Sequence, residues 1–221
     1  MQFFIHKDAG SEHIVLKEED YHYIFRVRRL QKDSVFKVFN YADRIFTYKV
    51  VDVKKGLLVK IDESEIIKQA PLGAHIILAL IDLKDIYELL SFLNEINAAK
   101  LSIFQASFSQ GNRTLNLEKA SKIVNLSCMQ CGRFVPLELE VLKDLKEVLN
   151  LYPNALGLNK DTKLLSEIPA IKPPLIIGPE GGFSKDELEL LKDRLYSLNS
   201  PFILQAHNAA RLAASLFSSS L

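Results

Sequence analysis

The sequence predicts an α/β protein in two parts, a small N-terminal β-barrel over residues 1–70 and a parallel α/β domain over residues 71–221. Three observations predict it. Short runs rich in Val, Ile, Phe and Tyr, separated by polar or glycine turns, fill the first part. From residue 75 onward, apolar strand-like runs alternate with stretches of helical periodicity. In residues 175–195, LIIGPEGGFSKDELELLKDRL, an apolar strand breaks into glycines and a capped helix follows.

In the first part, residues 13–16, 35–39, 44–53 and 57–61 read as strands, the last two joined by a hairpin across Lys54, Lys55 and Gly56. Residues 21–30, YHYIFRVRRL, read as a short helix or bent segment. This segment carries Arg26, Arg28 and Arg29, with Lys32 just beyond, beside Tyr21, Tyr23 and Phe25. Such a cluster fits RNA phosphates and stacked bases, and equally a solvated face whose aromatic rings point inward. Residues 66–73, with Pro71, read as a linker.

In the second part, residues 75–81 (HIILALI) form a continuous apolar run of the kind a buried parallel strand needs. Ile86, Leu89, Leu90, Leu93 and Ile96 recur at helical spacing. A strand at 101–105 follows, then a helix marked by Leu117, Ala120, Ile123, Val124 and Ser127 that runs toward Gly132. Leu142, Leu145, Val148 and Leu149 mark another helix, and residues 155–158 and 175–177 two further strands. Residues 202–205 read as the last strand and residues 208–219 as the C-terminal helix.

Composition excludes several classes. Apolar residues make up 48% and charged residues 25%, as in ordinary globular proteins, and the net charge of +1 supplies no global pull toward nucleic acid or membrane. No signal pattern and no long apolar run is present, so a cytoplasmic protein without membrane contact is expected. Cys128 and Cys131 form a lone C-x-x-C late in a helical pattern. A redox pair would open a helix after a strand, and a zinc site needs a second pair, so two thiols without a redox or metal role are expected.

The glycine stretch is the candidate ligand site. Ser184 and Glu187 have the S-x-x-E spacing of a capping box, and glycines at 178, 181 and 182 let the backbone approach a ligand. No Gly-Lys-Ser/Thr and no G-x-G-x-x-G spacing is present, so neither standard phosphate loop applies. Local features alone fit a tight turn as well as a ligand loop.

Three stretches together resemble one family, the RsmE-type ribosomal RNA methyltransferases of the knotted SPOUT superfamily. Residues 176–187, IIGPEGGFSKDE, resemble its principal cofactor-loop motif. Residues 129–136, MQCGRFVP, are similar to its Glu-Gln-Cys/Ser-x-Arg-x-x-x-Pro segment, through Gln130, Cys131, Arg133 and nearly Pro136. Residues 22–30, HYIFRVRRL, resemble the His-His-Leu-x-x-Val-Leu-Arg-Leu element of its N-terminal domain. The order is right and the matches span almost the whole chain.

The resemblance implies a PUA-like barrel that places RNA and a C-terminal domain closed by a trefoil knot, a feature no general rule of topology would suggest. It also implies a homodimer that binds S-adenosylmethionine in the knot and methylates N3 of one uridine in 16S rRNA, free or in the small subunit, without a metal. On that basis Ile177, Gly178, Pro179, Glu180, Gly181 and Gly182 form one wall of the cofactor site. Ile203, Leu204, Gln205 and Asn208 form a second, with Leu156, Gly157 and Leu158 on an adjacent strand. Arg133 joins the arginine cluster as an RNA contact. The chain departs from the pattern where the family has Arg-Ile-Leu-Arg-x-Glu-Thr-Ala, since residues 202–209 read FILQAHNA. Phe92 stands where the family has lysine and Met129 where it has glutamate, which marks a divergent member.

Methyl transfer needs the acceptor nitrogen in line with the methyl at about 3 Å, so positioning supplies much of the catalysis. Uracil N3 carries a proton that must leave, which calls for a base or a cation that stabilises the uracil anion. Gln205 cannot supply charge; His207 is the candidate base and Arg211, one helical turn on, the candidate cation, while a structural His207 at the helix start is the plainer alternative. Glu180 is expected to orient the cofactor or its loop. The N3 edge is a Watson–Crick edge, so the uridine must be unpaired or flipped out. Two other functions stay open on sequence alone: a noncatalytic RNA-binding or ribosome-assembly factor on the same scaffold, and an unrelated small-molecule or phosphate-binding α/β enzyme.

Overall fold

The computed structural model describes residues 3–42, 44–65, 73–109, 113–165 and 173–218, and all but the last residue of the linker read at 66–73 lie outside them. The chain divides into two compact units, Met1–Ala70 with Asn125–Pro136, and Pro71–Val124 with Leu137–Leu221.

The first unit is built on a five-stranded sheet in the order β1-β3-β4-β5-β2. The strands are β1 (Phe3–Ile5), β2 (His13–Val15), β3 (Val35–Phe39), β4 (Arg44–Asp52) and β5 (Leu57–Glu65). β1 pairs with β3 in parallel and the other pairs are antiparallel. Register shifts at Thr47/Tyr48 and Val50/Asp52 mark bulges between β4 and β5, which sharpen the twist that curves the sheet. The turn between these strands is the expected hairpin. Gly56 has φ +65°, and a Cβ there would lie 2.6 Å from the Leu16 carbonyl oxygen.

Residues 18–27 form a short α1 (Glu18–His22) that passes into a π-helical turn, Tyr23–Val27. Ile24 and Phe25 are buried, and Tyr21 and Tyr23 pack against the core of Phe4, Ile14, Phe36, Tyr48 and Leu58. The aromatic residues of the basic segment therefore face inward. Met129 joins the same core, and helix α3 (Leu117–Cys131) ends at Gly132, whose φ of +82° and N–H bond to the Cys128 carbonyl at 2.8 Å form a glycine C-cap. Cys128 is buried and Cys131 exposed, and neither is in a disulfide.

The second unit carries a six-stranded sheet in the order β11-β9-β10-β6-β7-β8, in which every pair is parallel. The strands are β6 (His75–Ala79), β7 (Lys100–Gln105), β8 (Glu138–Asp144), β9 (Leu156–Leu164), β10 (Leu175–Ile177) and β11 (Leu195–Ser197). Central β10 is buried throughout and β6 at all but its first residue, which is why both read as unbroken apolar runs. The helices are α2 (Leu83–Glu95), the first half of α3, α4 (Leu145–Leu151), α5 (Lys185–Leu191) and α6 (Ala206–Ser218).

The structure departs from the sequence reading at four points. Leu142 belongs to the edge strand β8, and helix α4 begins only at Leu145, where the Asp144 side chain accepts from the Glu147 N–H at 3.0 Å. The helix after the glycine turn stops at Leu191, and a single 3₁₀ turn (Lys192–Arg194) leads into β11. Residues 202–205 are an irregular loop, with Phe202 and Ile203 exposed; the last strand is β11. Three-residue β1 also escaped the pattern, being too short to show a period.

At the N-terminal ends of β6, β7 and β8 lies a polar cluster. Ser102 Oγ is 2.8 Å from His75 Nε2 and donates to Glu140 at 2.6 Å. The Tyr152 hydroxyl and Lys100 Nζ donate to the same carboxylate at 2.9 and 3.0 Å. The glycine loop lies beyond the C-terminal end of β10, at the opposite end of the sheet.

Candidate functional site

Ile177 ends β10, paired in register with Leu158 of β9, and the chain then turns through residues 178–183. The Gly182 N–H donates to the Pro179 carbonyl at 2.8 Å, and Gly182 has φ +74°, a conformation that suits glycine. The capping box is complete. Ser184 Oγ accepts from the Glu187 N–H at 3.3 Å, and Glu187 accepts from the Ser184 N–H at 2.8 Å. Glu187 is buried and takes a further N–H from Ser107 at 2.9 Å, so one carboxylate fixes both the helix start and the loop after β7.

A second loop runs from β11 to α6. Ser200 Oγ donates to the Phe202 carbonyl at 2.9 Å and accepts the Phe202 N–H at 3.3 Å, which pins the backbone at that point. α6 opens at Ala206, whose N–H points at the Glu180 carboxylate, 3.3 and 3.4 Å from its two oxygens. Glu180 thus ties the glycine loop to the N-terminus of the last helix, where a negative charge suits the helix dipole.

Between the two loops is a cavity of about 360 Å³, the size of a small-molecule site. Of the residues expected at a cofactor site, Leu158, Ile177, Gly178, Pro179, Glu180 and Gly182 line it from one side. Ile203, Leu204 and Gln205 line it from the other. Leu156 and Gly157 do not; a Cβ at Gly157 would meet Leu195 and Leu191 at 3.0 and 3.1 Å, so that position packs under α5. Gly181 turns its Cβ direction toward Phe108, 3.1 Å away, and Asn208 is engaged with Gln205 and Arg211.

The wall also contains residues that sequence reasoning missed, among them Asn159, Lys160, Phe183, Ser197, Leu198 and Phe202. The turn-forming Asn-Ser-Pro at 199–201 was the available signal for the second loop. Among the described lining residues, Lys160 is the one cation and Glu180 the one carboxylate.

His207 and Arg211 are not part of the cavity wall. They lie on the side of α6 that meets α2. His207 Nδ1 is buried without a hydrogen bond, 3.8 Å from the Asp85 carboxylate. The Arg211 guanidinium lies over the Phe92 ring at 5.8 Å and donates to Asn208 at 3.5 Å, with its Nε buried and unbonded.

In the first unit, Arg26, Arg29 and Lys32 are exposed. Arg28 instead donates to the Tyr23 hydroxyl through Nε at 3.0 Å and Nη2 at 2.7 Å, with its guanidinium 5.2 Å from the ring centre. Arg133 is half-buried and its Nε donates to the Val135 carbonyl. No metal-binding cluster exists among the described residues, and no described helix is long and apolar enough to cross a membrane.

Comparison with known proteins matches residues 68–218 to an RNA methyltransferase domain and residues 16–62 to an RNA methyltransferase PUA domain. The chain is 34% identical to the ribosomal RNA small subunit methyltransferase E of Helicobacter pylori, over 98% of this chain and 99% of that protein. A methyltransferase structure from Legionella pneumophila, solved with the cofactor SAM, superposes with a TM-score of 0.82 at 23% identity over 99% of this chain and 96% of that one. The Neisseria gonorrhoeae ribosomal RNA small subunit methyltransferase E, bound to S-adenosyl methionine, gives 0.80 at 18% identity over 98% and 96%. The fold is that of these methyltransferases, with an N-terminal PUA domain ahead of the RNA methyltransferase domain. The protein belongs to the ribosomal RNA small subunit methyltransferase E family.

Proposed function

We propose that this protein transfers the methyl group of S-adenosylmethionine to N3 of one uridine in the 16S rRNA of the small ribosomal subunit. The observation that carries the reading is the cavity between the glycine loop and the loop before α6, in a chain that matches an RNA methyltransferase domain. Its residues fit the donor. A Cβ at Gly178 would press on the Phe183 ring at 3.3 Å, while at Gly182 nothing lies within 4 Å, so the loop is open where a ligand would approach. Leu158, Ile177, Ile203 and Leu204 supply apolar wall for an adenosyl and methionyl group, and Glu180 is the one carboxylate among the described lining residues.

S-adenosylmethionine, when bound, supplies an activated methyl on a sulfonium that leaves as a neutral thioether. Glu180 holds the glycine loop against the start of α6 and offers its charge to that cation. His207 and Arg211, outside the donor cavity, serve the acceptor. His207 takes the N3 proton and Arg211 balances the charge left on uracil. Residues 1–70 place the RNA through Arg26, Arg28, Arg29 and Lys32, with Arg133 contributing, and residues 71–221 carry the donor and the chemistry. In this reading the protein is a cytoplasmic homodimer whose C-terminal segment threads a trefoil knot.

Mass-spectrometric mapping of 16S rRNA from cells with and without the active protein tests the reading. One 3-methyluridine that disappears with the protein is the expected result. A second reading, an RNA-binding assembly factor without catalysis, is favoured by Gln205 lining the cavity where the family pattern has arginine. It predicts an unchanged modification map together with retained binding to the small subunit.

A further inference from the structure

Phe202 lines the donor cavity yet leaves 77% of its surface exposed, and its neighbour Ile203 leaves 80%. The apolar residues deeper in the same wall behave differently: Ile177 is 3% exposed and Phe183 9%. Phe202 therefore adds little to the inner wall and projects its ring at the cavity mouth. Its position is not left to chance, because Ser200 Oγ bonds both its carbonyl and its N–H. Lys160, the one cation among the described lining residues, shares the wall.

Methyl transfer dictates what covers this mouth. The acceptor nitrogen must come within about 3 Å of the donor methyl, so the acceptor base lies against the cavity rim. A base methylated on its Watson–Crick edge has left its helix stack and needs a new surface for its face, which proteins provide with exposed aromatic rings. We infer that the mouth of the cavity is an acceptor-base subsite in which Phe202 is the stacking platform for the unpaired uracil and Lys160 binds its carbonyl oxygens. The inference rests on the proposed methyl transfer and adds the residues that hold the substrate. It assigns a positive role to Phe202, the first of the two positions where this chain lacks an arginine of the family pattern: a ring in place of a charge, with the charge supplied from β9.

The natural chain contains no tryptophan, so Phe202→Trp introduces a single indole reporter at an exposed position where the fold is not at risk. Oligouridylate added to this variant, with the demethylated donor product present, quenches and shifts the indole emission. Phe202→Ala lowers kcat/KM toward small ribosomal subunits by roughly 5- to 150-fold, the loss expected for one stacked base. Its donor affinity, measured by calorimetry, moves less than its RNA affinity. Lys160→Gln keeps the quench and lowers turnover at saturating RNA; unchanged turnover removes Lys160 from the subsite. Emission that responds to the donor product alone assigns Phe202 to the adenine instead. Emission that changes with protein concentration alone assigns it to a second copy of the chain. Either result, or no response to oligouridylate, overturns the platform. Wild-type protein that transfers no methyl to subunits is a separate failure, that of the underlying function.

Discussion

The carboxylate of Glu180 meets the backbone N–H of Ala206 at 3.3 Å, so the glycine loop and the first turn of the last helix are joined by one side chain. The contact caps a helix of 13 residues and sets one dimension of the donor cavity. Glu180→Ala is expected to cost about 1 kcal/mol of stability, the typical value of an N-terminal cap, and to lower donor affinity more than that loss explains. Glu180→Gln keeps an acceptor oxygen and is expected to restore the stability while leaving donor affinity reduced. Thermal melts with and without donor separate the two effects. Equal behaviour of Gln and Ala in both measurements would assign Glu180 to capping alone.

Two glycines make contrasting predictions. A Cβ at Gly182 meets nothing within 4 Å, so Gly182→Ala carries only the cost of φ +74°, about 1 kcal/mol, and its methyl occupies open space where the donor would approach. At Gly73 a Cβ would lie 1.9 Å from the Asn97 carbonyl oxygen and 2.7 Å from its carbon, and backbone cannot yield as a side chain does. Gly73→Ala is expected to cost about 3 kcal/mol or more. Denaturant titration of both variants should show the large loss at 73 and the small one at 182, with weakened donor binding confined to 182.

Much of the fold was legible because the central strands are buried on both faces. The unbroken apolar runs of β6 and β10, and the capping box of α5, follow from local chemistry. The edges were not. In β8 the leucines at 139 and 142 share helical spacing with Leu145 and Leu149, and only pairing to β7 makes Glu138–Asp144 a strand. β11 is three residues held by β9, a partner distant in sequence, and nothing local marks it. The apolar Phe202 and Ile203 looked like a strand because a chain read alone cannot show that they are exposed. The same limit applies to the site. The glycine loop was visible, whereas the meeting of His207 with Asp85 is made by α2 packing beside α6.

The cluster at the N-terminal end of the sheet predicts a pH dependence. Burial, with Lys100 nearby, pushes His75 down to about 4. Burial pushes the Glu140 carboxyl up, but hydrogen bonds from Ser102, Lys100 and Tyr152 together hold it below its usual range. A histidine depressed on folding binds its proton first in the unfolded chain, so its contribution is complete above pH 6.5 and is lost as pH falls through about 4. The loss should reach roughly 3 kcal/mol, and Glu140 adds to it in the same direction below the ordinary carboxylate range. Denaturation measured across this window should show the slope, and His75→Gln should flatten it between pH 6.5 and 4. A wild-type curve flat over that interval would show that His75 titrates normally.

The basic segment of the first unit separates into residues with different work. Arg28 gives two hydrogen bonds to Tyr23, a side chain packed on the core, so Arg28→Ala is expected to cost about 1 kcal/mol of stability. Arg26 and Arg29 are exposed and make no ion pair among the described residues. Their charge is available to phosphate. Each phosphate neutralised on single-stranded RNA adds about 0.7 to the slope of log affinity against log salt. The double variant Arg26→Ala, Arg29→Ala should therefore flatten that slope by roughly 1 to 2 units with unchanged melting temperature and donor affinity. Tyr21, Tyr23 and Phe25 pack on the core and do not stand out as stacking faces, so the contribution of Arg26 and Arg29 is expected to be electrostatic and insensitive to base identity. Binding to oligouridylate and oligoadenylate should weaken by the same factor in the double variant. A loss confined to one of the two would place a base contact in this segment after all.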